Sequence, residues 1–355
     1  MNSKEIVLRR LAGQGLSASR FSSAEEVVRW MGCVQAQDFA MGKWGVGLRF
    51  LGATDAEIEA DFDAGRILRT HVLRPTWHFV LPEDIGWMLR LTGPRVRAGA
   101  LAMQRQMGID KGVLVRSKKI MAKALGDGQV LTRAELAVLF SRAKINTDDI
   151  RMSILLMDAE LEEMICSGPR RGRQFTYRLL SSRGLDFSGD AALGELARRY
   201  FVSRGPATVA DLAWWGGLSL AQAKRGVGVV RGGLGCEVMD GKEYFFDAAS
   251  GVAVSAGGVL LLPAWDEYTV AYKDRSDFLH ADHVGRSSYG LKPVVVVNGK
   301  VVGVWRRVLG REAVTVEVSP FSNLSGAVMR SINVVAKRYS QFLGRKLVLL
   351  CKSSI

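Results

Sequence analysis

Between residues 111 and 247 one order of helix and hairpin signals occurs twice, and a repeat of that kind restricts the fold more than any single segment does. In the second copy, DAALGELARRYFVSRG has the apolar spacing of an amphipathic helix, ended by Gly205-Pro206. TVADLAWWGG follows, with Thr208 as N-cap and Asp211 as its capping-box partner. SLAQAKRGVGVVRGG opens on the same device, Ser219 with Gln222. CEVMDGKEYFF then alternates about Asp240-Gly241, the sign of a β-hairpin. In the first copy KGVLVRSKKIMAKALGDG reads as a basic helix, and LTRAELAVLFSRAKI carries a box at Thr132 and Glu135. DDIRMSILLMDAELEEMICSG reads as a third helix, and PRRGRQFTYRLL as a basic hairpin. The two middle helices share wording, LTRAELAVLF against ATVADLAWWG.

Three helices followed by a hairpin is the layout of a winged helix. A looser third copy opens the chain. EIVLRRLAGQGL and SAEEVVRWMGCVQAQ read as helices, the second with a box at Ser23 and Glu26. TDAEIEADFDAGR is a further helix, and ILRTHVLRPTWHFVLP alternates as strands. After residue 253 the character changes: PVVVVNGKVVGVW is a hairpin on an Asn298-Gly299 type I′ turn, VTVEVSPF a strand, and SGAVMRSINVVAKRYSQFLGRK a basic amphipathic helix. The expectation is a helix-rich α+β fold of tandem winged-helix (helix-turn-helix) units with β-hairpin wings. Their spans are 1–110, 111–185 and 186–250, with a C-terminal α+β lobe over 251–355 packed on the others. A chain of 355 residues has room for several such units.

Charge sets the partner class. Lys+Arg 49 against Asp+Glu 35 leaves +14, which favours a polyanion, nucleic acid before an anionic membrane, although an enzyme for a small anion would look similar. MNSKEIVLRR lacks the apolar core of a signal peptide, and stretches such as GVLLLPAW are too short to cross a bilayer. Cys33, Cys166, Cys236 and Cys351 form no C-x-x-C pair, which argues against a zinc finger or disulfide framework and for a reducing compartment. The expected protein is a cytoplasmic, nucleoid-associated monomer bound to double-stranded DNA, with no membrane, metal or cofactor. Arg69, Arg74 and the arginines of the middle wing, Arg170, Arg171, Arg173 and Arg178, are the expected phosphate contacts, with Lys224 and Arg225 early on a recognition helix. The competing reading has winged helices binding protein while the arginines solvate a face. Trp44, Trp77, Trp214 and Trp215 interleave with the basic residues. Trp44 is expected at the DNA, Trp214 and Trp215 in the core.

His280 and His283 lie three apart in a polar loop near Asp277 and Asp282, too few strong ligands for a metal site. His71 and His78 are seven apart, on opposite faces of a continuous strand, and each reads as a satisfied structural histidine. DEYTVAYKDR carries Asp266-Glu267 and Asp274-Arg275; the favoured reading is a helix cap or ion pairs that pin the lobe, ahead of a phosphodiester-cleaving metal site. G-x-S-x-G, P-loop and H-E-x-x-H motifs do not occur.

VQAQD, LRPTWHFVLPEDI, TVADLAWWGGL, LLPAWDEYTVAYKDRS and VNGKVVGVWRR, in this order, resemble the winged-helix family that includes the AlkZ and YcaQ DNA glycosylases. The resemblance runs over nearly the whole chain. It implies three winged helices forming a concave basic surface, and catalysis on a Gln-Φ-Gln motif, or Gln-Φ-Asp in the YcaQ branch. Gln35-Ala36-Gln37 matches the former, which makes Gln35 and Gln37 the implied catalytic pair. Arg74-Pro75-Thr76-Trp77-His78 is similar to an Arg-x-Thr-x-His element of that lobe, so His78 is an implied support.

The implied activity is monofunctional excision of N-alkylated purines, including bulky adducts or crosslinks. No lysine beside the motif is placed as a Schiff-base nucleophile. An alkylated, cationic purine leaves without a general acid; the remaining task is to hold water and favour charge on an oxocarbenium-like sugar, which side-chain amides suit. In a continuous helix, i and i+2 diverge by roughly 200°, so the helix is expected to end or bend near Gln35. Asp38 is the alternative base. Without the resemblance, Gln35 and Gln37 read as a helix C-terminal turn satisfying its own carbonyls. The rival function is a non-catalytic DNA-binding protein, a regulator or nucleoid-associated factor, and a third is a small-molecule enzyme built on the 266–275 carboxylates.

Overall fold

A computed structural model of the chain describes residues 1–148, 150–181, 184–249, 258–279 and 291–352. Its first helices are α1 (Ser3–Gly13) and α2 (Ala24–Met31). The Ser23 side chain caps α2 by accepting from the Glu26 amide. The Glu26 carboxylate turns outward to the Ser22 amide and hydroxyl, so the expected box stays half made. The helical reading of GCVQAQ is also overturned. Gly32, at φ 75°, ends α2 in a backbone conformation that only glycine adopts freely. Cys33–Gln35 then leaves as strand β1.

β1 completes a three-stranded sheet, order β1-β3-β2, with β2 (Leu68–His71) and β3 (Trp77–Val80). Gln35 lies opposite His78, which lies opposite Thr70; His71 lies opposite Trp77. Between β1 and β2 run α3 (Phe39–Gly47), capped by Asp38, and α4 (Asp55–Asp63), opened by a complete Thr54–Glu57 box. After β3, α5 (Pro82–Gln106) runs 25 residues through Pro94. Neither α3 nor α5 is visible as an amphipathic stripe. FAMGKWGVG is buried almost all round, and α5 is buried in its first half and largely exposed in its second.

The two repeated stretches contain helices and hairpins in the expected order. The first holds α6 (Lys111–Ala124), β4 (Leu131–Thr132), α7 (Arg133–Arg142), α8 (Arg151–Leu161), β5 (Ile165–Arg171) and β6 (Gln174–Leu179). The third helix stops short of the reading: α8 ends at Leu161, Glu163 turns at φ 57°, and ICSG joins β5 instead. Met121, Leu136, Phe140, Leu155 and Ile165 give this unit a core of its own. The second holds α9 (Gly189–Arg204), α10 (Val209–Gly216), α11 (Leu220–Val230), β7 (Leu234–Met239) and β8 (Lys242–Asp247). The boxes at Thr132, Thr208 and Ser219 are all made.

The C-terminal part contributes β9 (Val259–Leu262), α12 (Glu267–Val270), β10 (Val294–Val297), β11 (Lys300–Leu309), β12 (Ala313–Pro320), α13 (Gly326–Phe342) and β13 (Lys346–Cys351). The strands form one sheet, order β13-β12-β11-β10-β9, and Asn298 and Gly299 have the positive φ of a type I′ turn. One large core joins α2, α3 and α9 to this sheet through Trp44, Trp215, Tyr268, Trp305 and Tyr339. Among the described residues no helix is long and apolar enough to cross a membrane, and all four cysteines are free.

Candidate active site

The Gln-Ala-Gln segment is held as an extended turn. Its ladder with β3 runs one residue past β1, Ala36 N–H donating to the Trp77 carbonyl at 2.8 Å. β1 ends at Gln35, and Gln37 beyond it lines a cavity with His71 and Trp77, so the two amides do not point one way as the frayed helix was expected to arrange. The Gln37 amide donates to Gln35 Oε1 at 2.6 Å, and the Trp77 amide donates to Gln37 Oε1 at 3.3 Å. Ala36 is fully buried; a Cβ on Gly42 would stand 3.1 Å from its Cα, so both positions are small because α3 passes directly over the motif. Gln35 is buried, Gln37 half-buried and Asp38 exposed. Asp38 spends Oδ1 on the Met41 amide at 3.0 Å, as a helix cap.

Arg69 is not the phosphate contact that the charge pattern suggested. It is 7% exposed, and its Nε and Nη2 donate to the carbonyls of Ala36 (3.0 Å) and Gln37 (3.4 Å). Its guanidinium lies between Trp77 and Phe175, 4.5 and 4.6 Å from the ring centroids. Burial pulls it down to about 10, so it remains a cation bracing the motif's backbone.

Cross-strand partners share a sheet face, so Gln35, His78 and Thr70 form one row, and His71, Trp77 and Arg69 belong to the other face. His71 and His78 are therefore on opposite faces, as expected, although on two strands. His78 is fully buried. Its Nδ1 meets the Thr76 carbonyl at 2.9 Å, while Nε2 and the hydroxyls of Thr70 and Thr76 have no partner among the described residues. The reading of His78 as a satisfied histidine is thus corrected. Burial, then the Arg74 charge, pushes it down to about 3, so the ring is neutral with Nδ1 as donor.

A histidine whose folded pKa lies below its unfolded one loses stability as pH falls, because the unfolded chain takes the proton first. The His78 contribution is intact above about 6.5, the ordinary histidine value, and is lost from there towards 3. The thermal midpoint is expected to fall more steeply across that window in the parent protein than in His78→Gln. Parallel curves would contradict a buried neutral ring.

The opposite face opens on a cavity of about 600 Å³ between α5 and α8. Gln37, His71, Arg74 and Trp77 stand at its sheet side, and Val96, Met103, Ile154 and Met157 make its apolar walls. Of the expected residues, Gln37, Arg74 and Trp77 meet here; Gln35 and His78 stand behind them, and Asp38 is not part of the lining. Sequence reasoning missed His71 as a site residue. Its Nδ1 pairs with Oε2 of Glu160, which also accepts from the His71 backbone amide at 3.2 Å, and its ring is 4.2 Å from Trp77. Nothing local could have revealed this, since Glu160 is 89 residues away.

Elsewhere several readings change. Trp44 is wholly buried, its indole N–H donating to the Leu261 carbonyl at 2.8 Å, and is unavailable to DNA. Trp215 is core as expected, but Trp214 is 44% exposed. Arg170 is mostly buried and tied to Glu59 at 3.1 Å, with its guanidinium over Phe39 and Phe175; it is a brace between α4 and β5. Arg171 and Arg225 are exposed and paired with Glu135 and Asp190; Arg173 and Lys224 are exposed. Asp266 caps α12 and holds Arg49 through both oxygens at 3.0 Å, while Glu267 is buried against Arg204, so these carboxylates pin the lobe as expected. His280 and His283 lie outside the described residues, among which no group of three His, Cys, Asp or Glu is placed to hold a metal.

Known proteins share this fold. The chain is 25% identical over 366 residues, 96% of each chain, to a Streptomyces sahachiroi protein named interstrand DNA cross-link repair glycosylase. Its fold matches the solved structure of the Streptomyces sahachiroi DNA glycosylase AlkZ with a TM-score of 0.80, covering 99% of this chain and 100% of that one at 23% identity. The family model described as DNA glycosylase AlkZ-like matches residues 28–342, so the chain belongs to the AlkZ-like DNA glycosylase family.

Proposed function

We propose that this glycosylase hydrolyses the N-glycosidic bond of N-alkylated purines in duplex DNA, with Gln37 facing the reacting sugar and Gln35 and His78 supporting it from behind. The observation that carries this reading is Gln37 itself, an amide fixed by backbone bonds at the edge of an apolar cavity that Trp77 borders. One lone pair of Gln37 Oε1 meets the Trp77 amide, which leaves the second for a water O–H. A fixed carbonyl dipole is what a developing oxocarbenium ion responds to. Apolar walls suit a nucleobase. Arg173 and Lys224 supply exposed charge for phosphates. Arg171 and Arg225 exchange weak surface partners for them, since such pairs hold at most about 1 kcal/mol.

The test is release of free base from a duplex carrying one N7-methylguanine, in the presence of a chelator, followed by the same assay on an N7-linked crosslinked duplex. Release in chelator supports the reading, and release from the second duplex extends it to the chemistry named for the Streptomyces relative. Tight duplex binding with no base released from either substrate would leave a DNA-binding protein without this chemistry.

A further inference from the structure

Hydrolysis releases a proton from water, and the glutamines are not bases. We infer that His71 is the general base of this site, oriented by Glu160. This rests on the glycosylase reading above. His71 and Gln37 line the same cavity, and both touch Trp77: the His71 ring lies against its indole, and Gln37 Oε1 accepts from its backbone amide. Nδ1 of His71 faces Glu160 Oε2, so Nε2 is the ring nitrogen left for the cavity. Glu160 is itself fixed, 1% exposed at the end of α8. Ile150, Ser153, Ile154 and Met157 line the cavity from α8 and its N-terminal flank, and the helical period continues that face to Glu160. A carboxylate that holds Nδ1–H selects the tautomer with a lone pair on Nε2, the arrangement of a histidine base in hydrolytic triads.

The step balances. Water oxygen bonds to C1′ as the C1′–N bond breaks, and its electron pair stays on the alkylated purine, which leaves neutral. The water proton passes to His71 Nε2 and then to solvent, while Gln37 Oε1 holds the other hydrogen. His71 is a catalytic residue in this scheme and Glu160 a positioning residue. The charged and titratable groups around His71 are Glu160 on α8, Arg69 on its own strand, Arg74 on the following loop, His78 on β3, Arg95 on α5 and Tyr177 on β6.

Base release from N7-methylguanine duplex is measured against pH in the parent protein, His71→Ala, His71→Gln and Glu160→Gln, with duplex affinity as the check on folding. The parent rate is expected to drop on the acid side, as it does wherever a general base must be unprotonated to act. Both His71 variants are expected to lose about 10²-fold or more at neutral pH and to lack that acid limb. Glu160→Gln removes the charge that stabilises the imidazolium, so its limb moves to lower pH, a change that a purely structural pair would not produce. His71 variants that release base at the parent rate, or an acid limb that stays put in Glu160→Gln, would overturn the assignment. A parent protein that releases no base would instead refute the glycosylase reading itself.

Discussion

Gln37→Ala is expected to lower base release from N7-methylguanine duplex by two orders of magnitude or more while the protein stays folded and binds DNA. The separation follows from how the residue is held. Its amide donates to Gln35 Oε1, its carbonyl accepts from Arg69, and the neighbouring Ala36 amide donates to Trp77; all three bonds use main-chain atoms of the motif and survive truncation. Only one long bond, Trp77 N–H to Gln37 Oε1 at 3.3 Å, is lost, from a half-buried position. The stability cost is about 1 kcal/mol or less. The rate cost is larger because a preorganised dipole aimed at developing charge is worth about 10²–10³-fold per group.

Gln35→Ala is expected to fail differently. It removes the acceptor of the Gln37 amide inside a buried turn, so activity and stability fall together, the latter by about 1–3 kcal/mol. Gln37→Asp keeps an oxygen near the sugar and should retain part of the rate. The measurement is single-turnover base release alongside a guanidinium unfolding curve for each variant. A Gln37→Ala protein releasing base at the parent rate would remove the motif from the chemistry.

What was legible in the sequence was local. Capping boxes at Thr132, Thr208 and Ser219 stand where they were read, because a side chain three residues from its partner needs nothing else to be satisfied. Turns at Asp240-Gly241 and Asn298-Gly299 follow from residues that tolerate positive φ. The site was legible only in part. Gln35 and Gln37 were named, but the strand that ends at Gln35 was read as helix, since three residues beside a real helix carry no period of their own.

Arg69 and Arg170 were counted as surface charge. Both pack against Phe175 of β6, which is far from Arg69 in the chain though it shares a hairpin with Arg170, and a flat aromatic face is what lets a guanidinium be packed. Trp44 was placed at the DNA for the same reason: composition shows that an aromatic is near basic residues, not which side of α3 meets the C-terminal sheet. The His71–Glu160 pair exists only once β2 packs on α8.

Glu267→Ala is expected to destabilise the protein by about 3–5 kcal/mol, the largest stability loss of any single replacement considered for this site. Glu267 is wholly buried, and its carboxylate takes every polar group that reaches it. Oε1 accepts from the Gln35 amide at 2.9 Å; Oε2 accepts from Arg204 Nε and Nη2 at 2.9 and 2.7 Å and from the Trp215 indole at 3.0 Å. Arg204 has no exposure either, and its remaining bonds go to the Ser203 hydroxyl and to the carbonyls of Met31 and Cys33, the end of α2 and the start of β1. Truncating Glu267 strands that guanidinium in the core, against a total stability of only about 5–15 kcal/mol. Arg204→Met added to Glu267→Gln is expected to recover part of the loss, because removing both charges is cheaper than removing one.

Burial alone would raise the Glu267 pKa, but the Arg204 charge and the hydrogen bonds outweigh it and hold the carboxyl below its ordinary range. Its contribution is therefore complete above about pH 4.5 and lost as pH falls through the lowered value. Unfolding midpoints in guanidinium across that range check both statements; a Glu267→Ala midpoint within about 1 kcal/mol of the parent would show that the pair holds little. Since the same carboxylate anchors the Gln35 backbone, Glu267→Gln should also slow base release more than its smaller stability loss accounts for, which ties the lobe-pinning segment to the geometry of the glutamines.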